Sequence, residues 1–210
     1  MPESDRIKWD EKYARGEHAS DLASRVVERV GARLPSRAAE DSATDGGGLG
    51  RALEIAGGAG RHALWLAQRG YDVTLADISR VGLELARQRA AARGLSLRTF
   101  AVDLETTGLP AGPWDLVFSH HYLWRPLFAE LPSVLAPGGW AFIVQPTQRN
   151  LERHARPPAP FLLAEGELQQ LLAPLEIVYW EECWNEEGRH EAVALARRVE
   201  EDAGMKGASS

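Results

Sequence analysis

Residues 51–70, RALEIAGGAGRHALWLAQRG, decide how the rest of the chain is interpreted. The stretch passes from a short apolar run through small residues into a segment whose apolar side chains recur at helical spacing. This pattern predicts a strand, a tight glycine turn and a helix. Glycines let a backbone approach a ligand that a Cβ atom would exclude, and the first N–H groups of the helix add unpaired donors. The stretch therefore predicts a ligand-binding turn.

A carboxylate stands where a nucleotide-type site requires one. Such sites carry an acidic residue about 20 residues after the glycines, and that residue accepts hydrogen bonds from ribose hydroxyls. Asp77 has this offset and closes the apolar run at 73–76. The alternative role for Asp77 is that of a carboxylate held near the positive end of the next helix.

The composition limits the classes of function. With 210 residues and 44 % apolar content, the chain suits one domain with a substantial core. The net charge of −6 argues against a surface that binds nucleic acid. Cys183 is the single cysteine, so an intramolecular disulfide or a thiolate metal cluster is not expected, and we assign no metal ligands. Because no long apolar run and no basic leader occur, we expect a cytoplasmic protein that does not enter a membrane.

Strands and helices alternate after the glycine turn. This alternation favours an α/β fold in which helices cover both faces of a parallel sheet and ligands bind at the carboxyl ends of the strands. A final hairpin adds an antiparallel pair, which gives a seven-stranded, mostly parallel sheet. Further strands are predicted at 72–76, 97–102, 114–119 and 140–144, the hairpin at 176–181 and 190–196, and helices at 79–93, at 165–172 and through Leu127, Leu131 and Leu135.

The flanking segments are assigned to the same domain, residues 1–200. Residues 1–34 are predicted to form a helical cap, in which a helix spans 20–34 and Trp9 and Tyr13 share one helical face. That face either closes over a ligand or packs on the body of the protein. The remaining predictions are a flexible loop at 35–50, a long loop at 146–160 and a disordered tail at 201–210.

Five short motifs follow one another along the predicted strands: EIAGGAG at 54–60, ADIS at 76–79 and VDL at 102–104 follow or end strands, WDLV at 114–117 lies in the fourth strand, and LAPGG at 135–139 precedes the fifth. In this order and spacing they resemble the class I S-adenosylmethionine-dependent methyltransferases. The resemblance implies a three-layer, Rossmann-like sandwich with strand order 3-2-1-4-5-7-6. The chain departs from the family pattern at Ala56, where glycine is usual.

Four other motifs are similar to those of small bacterial methyltransferases of the tellurite-resistance and thiopurine-methyltransferase-like group. They are WDEKY at 9–13, YLWRPL at 122–127, FLL at 161–163 and GRHE at 188–191.

The resemblance implies positions for a cofactor, S-adenosylmethionine, and its product, S-adenosylhomocysteine. Glu54 would hold the methionine part, and Asp77 would accept both ribose hydroxyls. Asp103 would take the exocyclic amine of adenine, with a structural role in a turn as the alternative. The other implied positions are Ala56, Gly58 and Gly60 in the turn, Ile78 and Leu104 on the two faces of adenine, and Ser119 at the end of the fourth strand.

Two other functions stay open at this point. GAGRHA at 58–63 also satisfies the G-x-G-x-x-A pattern of nicotinamide-dependent oxidoreductases, in which Asp77 would select NAD. Glu54 argues against that class, because a dinucleotide site would bring a pyrophosphate close to this carboxylate. The other alternative is a regulator that binds the cofactor without turnover, since an intact pocket does not establish catalysis.

The expected partner is a small-molecule acceptor, bound by a monomer or a homodimer. Methyl transfer from a sulfonium is an in-line displacement, for which alignment and exclusion of water supply much of the acceleration. A soft or anionic acceptor, such as a thiolate, a thiopurine, or a selenium or tellurium species, needs no base. A neutral hydroxyl or amine needs one.

Candidates for the acceptor site lie at two strand ends. His120 and His121 directly follow the fourth predicted strand. Arg189 and His190 begin the last strand, which runs antiparallel and so returns to the same edge, where a positive pair would bind an oxyanion. Each has a structural alternative as a loop or hairpin residue. The other candidates are Tyr122 and Arg125 beside the histidines, Trp9, Trp124 and Trp184 as pocket walls, and Arg153, His154 and Arg156 as a basic lid.

Overall fold

The computed structural model describes residues 3–17, 20–35 and 48–199. The strands are β1 (Arg51–Ile55), β2 (Asp72–Asp77), β3 (Arg98–Ala101), β4 (Trp114–His120), β5 (Leu135–Pro146), β6 (Glu176–Trp184) and β7 (His190–Arg197). The α-helices are α1 (Glu3–Ala14), α2 (Arg25–Gly31), α3 (Arg61–Gln68), α4 (Arg80–Ala91), α5 (Leu104–Thr107), α6 (Leu131–Val134) and α7 (Glu167–Leu171).

These strands form one seven-stranded sheet in the order β3-β2-β1-β4-β5-β7-β6. Strand β7 runs antiparallel to β5 and β6, whereas the other neighbouring strands are parallel. The α/β fold, the strand order and the antiparallel C-terminal hairpin that the sequence predicts are thereby confirmed.

Apolar cores cover both faces of the sheet. Successive side chains of a strand point to opposite faces, so Leu116 and Phe118 of β4 enter one core and Val117 enters the other. Helices α2, α3 and α4 pack on the Phe118 face, and α5, α6 and α7 contribute to the opposite core. The polar side chains at the carboxyl ends of the central strands, Glu54 near the end of β1 and Asp77 and His120 ending β2 and β4, therefore meet at one edge between the two layers.

The structure differs from the prediction in two segments, the helix at 20–34 and the loop at 146–160. The helix predicted at 20–34 is shorter: it begins after Ser24, and Leu22 is 72 % exposed instead of packed. The segment predicted as a long loop holds a 3₁₀ helix at Gln148–Glu152.

The helix predicted through Leu127, Leu131 and Leu135 is found as two short helices that end before Leu135. Residues 125–130 form a 3₁₀ helix, α6 ends at Val134, and Leu135 already pairs with Trp114 in the sheet. Proline stands in the first turn of both short helices and supplies no N–H group, so one continuous helix cannot run through this segment.

Helix α1 docks on the start of α4. Asp10 Oδ1 accepts hydrogen bonds from Ser79 Oγ at 2.7 Å and from the Val81 N–H at 3.2 Å. Ser79 Oγ in turn accepts from the Gly82 N–H at 3.0 Å and so caps α4, as the sequence predicts. The Tyr13 ring lies against Gly58 and Gly82. The docked helix therefore covers part of the glycine turn.

None of the described helices has the length and apolar character needed to cross a membrane. The predictions for the disordered tail and for most of the flexible loop concern residues 36–47 and 200–210, which lie outside the described residues.

Candidate active site

The glycine turn between β1 and α3 has a left-handed backbone at three positions. Gly58 has φ +56° and Gly60 φ +75°, and Ala56 adopts φ +51° although it carries a Cβ atom. A Cβ atom on Gly58 would lie 1.8 Å from Tyr13 Oη, and one on Gly57 would lie 2.5 Å from Glu54 Oε1. The turn is therefore a cradle that side chains would fill.

Asp77 closes this cradle from the end of β2. Its Oδ2 accepts from the Gly58 N–H at 2.8 Å, and its Oδ1 accepts from the Ser79 N–H at 2.7 Å. Burial raises the pKa of Asp77 to about 6, against the lowering effect of the backbone hydrogen bonds. A carboxylate has about four lone-pair sites, so these two bonds leave capacity for further donors such as ribose hydroxyls.

Glu54 is a second buried carboxyl on the other side of the turn. It is 1 % exposed, and its Oε2 has no hydrogen-bond partner among the residues that the structure describes. Burial raises the pKa of Glu54 to about 8, although the nearby Arg61 guanidinium lowers it. A buried carboxyl oxygen without a partner is costly, and a cationic group placed beside Oε2 would stabilise the ionised form of Glu54.

The edge near β3 and β4 offers a second buried polar atom. Tyr122 Oη has no hydrogen-bond partner within the described part of the chain, and burial raises the pKa of this phenol, with Glu105 and Asp103 adding to the effect. Asp103 is the N-cap of α5, where its Oδ1 accepts from the Glu105 N–H at 3.0 Å. Asp103 thus has the structural role that the sequence left as the alternative to adenine binding.

These residues fit the cofactor that the sequence motifs imply. The cleft has the glycine cradle and acceptor capacity at Asp77, and neither Glu54 Oε2 nor the Tyr122 hydroxyl has a hydrogen-bond partner among the residues described. Leu104 is buried, Ile78 is half-buried, and the buried Ser119 Oγ donates to the Tyr122 carbonyl at 3.4 Å. The structure brings the implied cofactor residues to one edge of the sheet, and their roles in binding remain predictions.

Three histidines form what we call the imidazole row beside this cleft: His62 of α3, and His120 and His121 at the end of β4. The ring centroids of His62 and His120 are 4.4 Å apart, and those of His120 and His121 are 3.8 Å apart. His62 Nδ1 lies 3.6 Å from Glu54 Oε1, and its Nε2 accepts from the Ser24 N–H at 3.4 Å. The row therefore connects the Glu54 carboxyl to the end of β4.

The far end of the row is a His–Glu pair. His121 Nε2 lies 2.6 Å from Glu191 Oε1, and Glu191 Oε2 accepts from Asn185 Nδ2 at 2.6 Å. The Glu191 side chain is 3 % exposed and that of His121 is 24 % exposed, so the histidine is the solvent-accessible member of the pair. His121 has φ +60°, a left-handed conformation that costs energy for a residue with a Cβ atom. Strained residues of this kind are often functional.

Burial keeps the inner part of the row neutral. Desolvation lowers the pKa of His62 and of His120 well below the ordinary value, and neighbouring positive groups, among them Arg61 and His121, add to this effect. A neutral imidazole offers a lone pair to a proton or a metal. His120 Nε2 lies 3.2 Å from Ser24 Oγ, so α2 helps to orient this ring.

The structure does not bring all predicted acceptor residues to this row. His190 lies on the opposite face of β7, where its Nδ1 is 2.7 Å from Thr147 Oγ1 and its ring contacts Trp184. Arg189 is exposed at the start of β7. Arg125 forms a two-point ion pair with Glu167, and its Nη2 also donates to the Leu162 carbonyl at 3.2 Å. His120 itself is the last residue of β4 and not a loop residue.

The other candidates have packing or surface contacts. Trp9 and Tyr13 stack on α1 with ring centroids 6.0 Å apart, and Trp124 packs against the core on the α6 side. The guanidinium of Arg153 lies 3.8 Å from the Trp184 ring centroid, and Cys183 is exposed. These contacts do not test whether the basic segment acts as a lid.

Glu191 is the residue that sequence reasoning missed. The alternation of β7 supplies the signal that could have found it: if His190 faces one side of the sheet, Glu191 faces the other. Ser24 and Asn185 are also absent from the predicted set, because each acts through contacts with residues far away in sequence, as the hydrogen bond from Ser24 to His62 illustrates.

Comparison with known proteins adds independent findings. Residues 52–139 match the family model described as a methyltransferase domain. A demethylmenaquinone methyltransferase of Thermus thermophilus is 35 % identical over 102 residues, which cover 45 % of this chain and 46 % of that protein. A tRNA 5-carboxymethoxyuridine methyltransferase of Escherichia coli is 36 % identical over 103 residues, which cover 42 % of this chain and 37 % of the relative. The matched stretch thus spans less than half the length of either relative.

A solved structure extends the likeness of fold to most of the chain. The crystal structure of TehB from Haemophilus influenzae superposes with a TM-score of 0.66 at 19 % identity, covering 90 % of this chain and 67 % of that one. At this level of identity the superposition shows a shared fold.

Proposed function

We propose that this protein, whose residues 52–139 match a methyltransferase domain, is a class I S-adenosylmethionine-dependent methyltransferase that transfers a methyl group to a small-molecule acceptor with a soft or anionic nucleophilic atom. When bound, S-adenosylmethionine supplies an electrophilic methyl group on a positively charged sulfur. A cytoplasmic location and a monomeric or homodimeric state belong to the same proposal.

The observation that carries the proposal is the pair of buried carboxyls on either side of the glycine cradle. Glu54 Oε2 lacks a partner within the described residues and suits the cationic amino-acid end of the cofactor. Asp77 is held by the Gly58 and Ser79 N–H groups and retains lone pairs for the ribose hydroxyls. The two side chains come from neighbouring strands in the sheet, so the fold keeps them in a fixed relation.

The imidazole row supports a site for the acceptor at the end of β4. The row begins next to Glu54 and ends at the solvent-accessible His121, so an acceptor that enters from solvent would meet His121 first. Arg61, whose charge interacts with Glu54, Glu187 and Glu191, adds positive charge to this region. Positive and neutral nitrogen groups suit an anionic acceptor.

We favour a small molecule over a nucleic acid as the acceptor, although one relative is named for tRNA modification. The net charge of the chain is −6, whereas binding to a phosphate backbone depends on clustered basic residues.

Calorimetry separates the cofactor classes. We expect the protein to bind S-adenosylhomocysteine and not NAD, and binding of NAD alone would overturn the proposal. Turnover is then measured as the release of S-adenosylhomocysteine with selenite, tellurite, small thiols and thiopurines, with undermodified tRNA as the contrasting acceptor. Product from tRNA alone would overturn the acceptor class, and cofactor binding without product from any acceptor would favour a regulator.

A further inference from the structure

We propose that His120, His121 and Glu191 bind a divalent transition-metal ion, and that this ion holds the reacting sulfur or oxygen of the acceptor as an anion. The metal site is inferred from the structure alone. The role in acceptor activation rests on the proposed function.

The geometry of the three side chains carries the metal site. One ligand atom from each residue lies within 4.8 Å of the others, and among the described residues no other group of three metal-binding side chains meets this condition. A tetrahedral ion with bonds of about 2.1 Å holds its ligand atoms about 3.4 Å apart. Small side-chain rotations therefore suffice, in which the 2.6 Å contact between His121 Nε2 and Glu191 Oε1 opens to admit the ion.

The supporting contacts resemble those that orient metal ligands in proteins. Ser24 Oγ lies 3.2 Å from His120 Nε2, and Asn185 Nδ2 donates to Glu191 Oε2 at 2.6 Å. The backbone N–H of His121 donates to the Val144 carbonyl at 2.8 Å and fixes the left-handed residue to β5. Outer partners of this kind set the orientation of ligating imidazoles and carboxylates. Two ligands lie on strands and the third directly follows one, so the set is held by rigid elements.

The donor set selects the class of metal. Two imidazoles and one carboxylate suit zinc, iron, cobalt or nickel, whereas magnesium and calcium prefer oxygen ligands. Three protein ligands also leave a coordination position open, which is typical of catalytic zinc sites and not of structural ones. Because His121 is 24 % exposed, the open position can face solvent and the incoming acceptor.

The open coordination position of the ion would explain why the acceptor atom is soft or anionic. When a thiol coordinates such an ion, the S–H bond breaks, the proton passes to solvent water and a sulfur–metal bond forms, so the sulfur is held as a thiolate. A hydroxyl that coordinates loses its proton in the same way. Neither acceptor then needs a general base from the protein, which agrees with a soft or anionic nucleophile.

Cobalt(II) is the probe, because it takes zinc sites and absorbs visible light when four-coordinate. We expect the full chain to bind one equivalent of Co²⁺ with visible absorption, and we expect His121→Ala and Glu191→Gln to weaken binding at least ~10-fold. The matched control is Glu176→Gln, which changes an exposed carboxylate at the start of β6 in the same way as Glu191→Gln, and it should bind Co²⁺ like the parent protein. Thermal unfolding confirms that each variant is folded.

Absence of Co²⁺ binding by the parent protein would overturn the metal site, and so would unchanged affinity in both ligand variants. A His121–Glu191 pair that merely accepts a proton would give this result. Addition of 2-mercaptoethanol or catechol to the Co²⁺ protein then tests the acceptor role and distinguishes sulfur from oxygen. A change in absorption with either supports it, and no change with both overturns it. Calorimetry with S-adenosylhomocysteine is run in parallel, so failure of the cofactor site is distinguished from failure of the metal site.

Discussion

The two halves of the cleft are built in opposite ways. The half that we propose to bind the cofactor combines the glycine turn with Glu54 and Asp77, which belong to one strand–helix–strand unit, β1–α3–β2. The half that we propose to bind the acceptor contains Ser24, His120 and Glu191, which lie in three distant parts of the chain. The first half is acidic and depends on backbone N–H groups, and the second is rich in imidazole and depends on side-chain contacts. The proposed nucleoside site is therefore formed by a local motif, whereas the proposed acceptor site depends on the tertiary fold.

The largest effect should come from removing the carboxylate of Asp77, which we propose binds the cofactor. Asp77→Ala removes the proposed acceptor for the ribose hydroxyls and leaves the Gly58 and Ser79 N–H groups without their partner. We expect affinity for S-adenosylhomocysteine to fall at least ~100-fold, about 2.7 kcal/mol, in calorimetric titrations. Asp72→Ala, at the exposed opposite end of the same strand, should leave that affinity unchanged. Equal losses in the two variants would contradict the assignment.

Glu54→Gln tests whether the buried carboxyl is neutral in the cofactor-free protein. Since burial raises its pKa to about 8, the folded state retains a proton that the unfolded chain releases above its ordinary pKa. The free energy of unfolding should therefore fall with rising pH, by up to about 1.4 kcal/mol per unit between about pH 5 and about pH 8.

Glu54→Gln removes this contribution. The free energy of unfolding in urea should therefore increase for the variant relative to the parent protein as the pH rises. His62 and His120 have lowered pKa values and contribute the opposite slope below their ordinary range, and this slope is common to both proteins. A difference that does not vary with pH would mean that Glu54 is ionised in the folded protein.

Gly58→Ala tests the close contact between the cradle and α1. The new Cβ atom would lie 1.8 Å from Tyr13 Oη and would force the ring, and with it α1, to move. We expect a loss of about 2 kcal/mol in the free energy of unfolding, more than the roughly 1 kcal/mol due to the left-handed backbone alone. Gly94→Ala is the matched control, because Gly94 has φ +67° and nothing within 4 Å of the added atom. In a Tyr13→Ala background, where the clash is absent, Gly58→Ala should lower the free energy of unfolding only by the amount due to the left-handed backbone.

The smallest effect is expected at Ala56, the departure from the family pattern. Ala56 has φ +51°, which glycine adopts without the steric penalty of a Cβ atom. Ala56→Gly should raise the free energy of unfolding by about 0.5 kcal/mol, the steric gain being partly offset by the greater freedom of glycine in the unfolded chain. A lower melting temperature for Ala56→Gly would show instead that packing of the alanine methyl stabilises the protein by more than the left-handed backbone destabilises it.

Sequence patterns predicted the sheet, and the place of Asp77 beside the glycine turn, because these signals are local. The Ser79 cap and the offset of Asp77 from the glycines depend on nearby residues, and both are found in the structure. The helix through Leu135 failed because apolar spacing alone does not register that prolines in two successive first turns divide the segment. Glu191 and Ser24 were missed because strand pairing and helix docking, not sequence spacing, bring them to the histidines.

The docking of α1 has a practical consequence for following ligands in solution. Tyr13 reaches the floor of the cleft at Gly58, and the same ring stacks on Trp9, whose indole also lies 4.5 Å from Lys12 Nζ. A molecule that enters beside Gly58 would have to move the Tyr13 phenol, and we expect the emission of the adjacent Trp9 indole to change with it. Comparison with a Trp9→Phe variant would separate this signal from that of the other tryptophans, so occupancy could be followed without an external label.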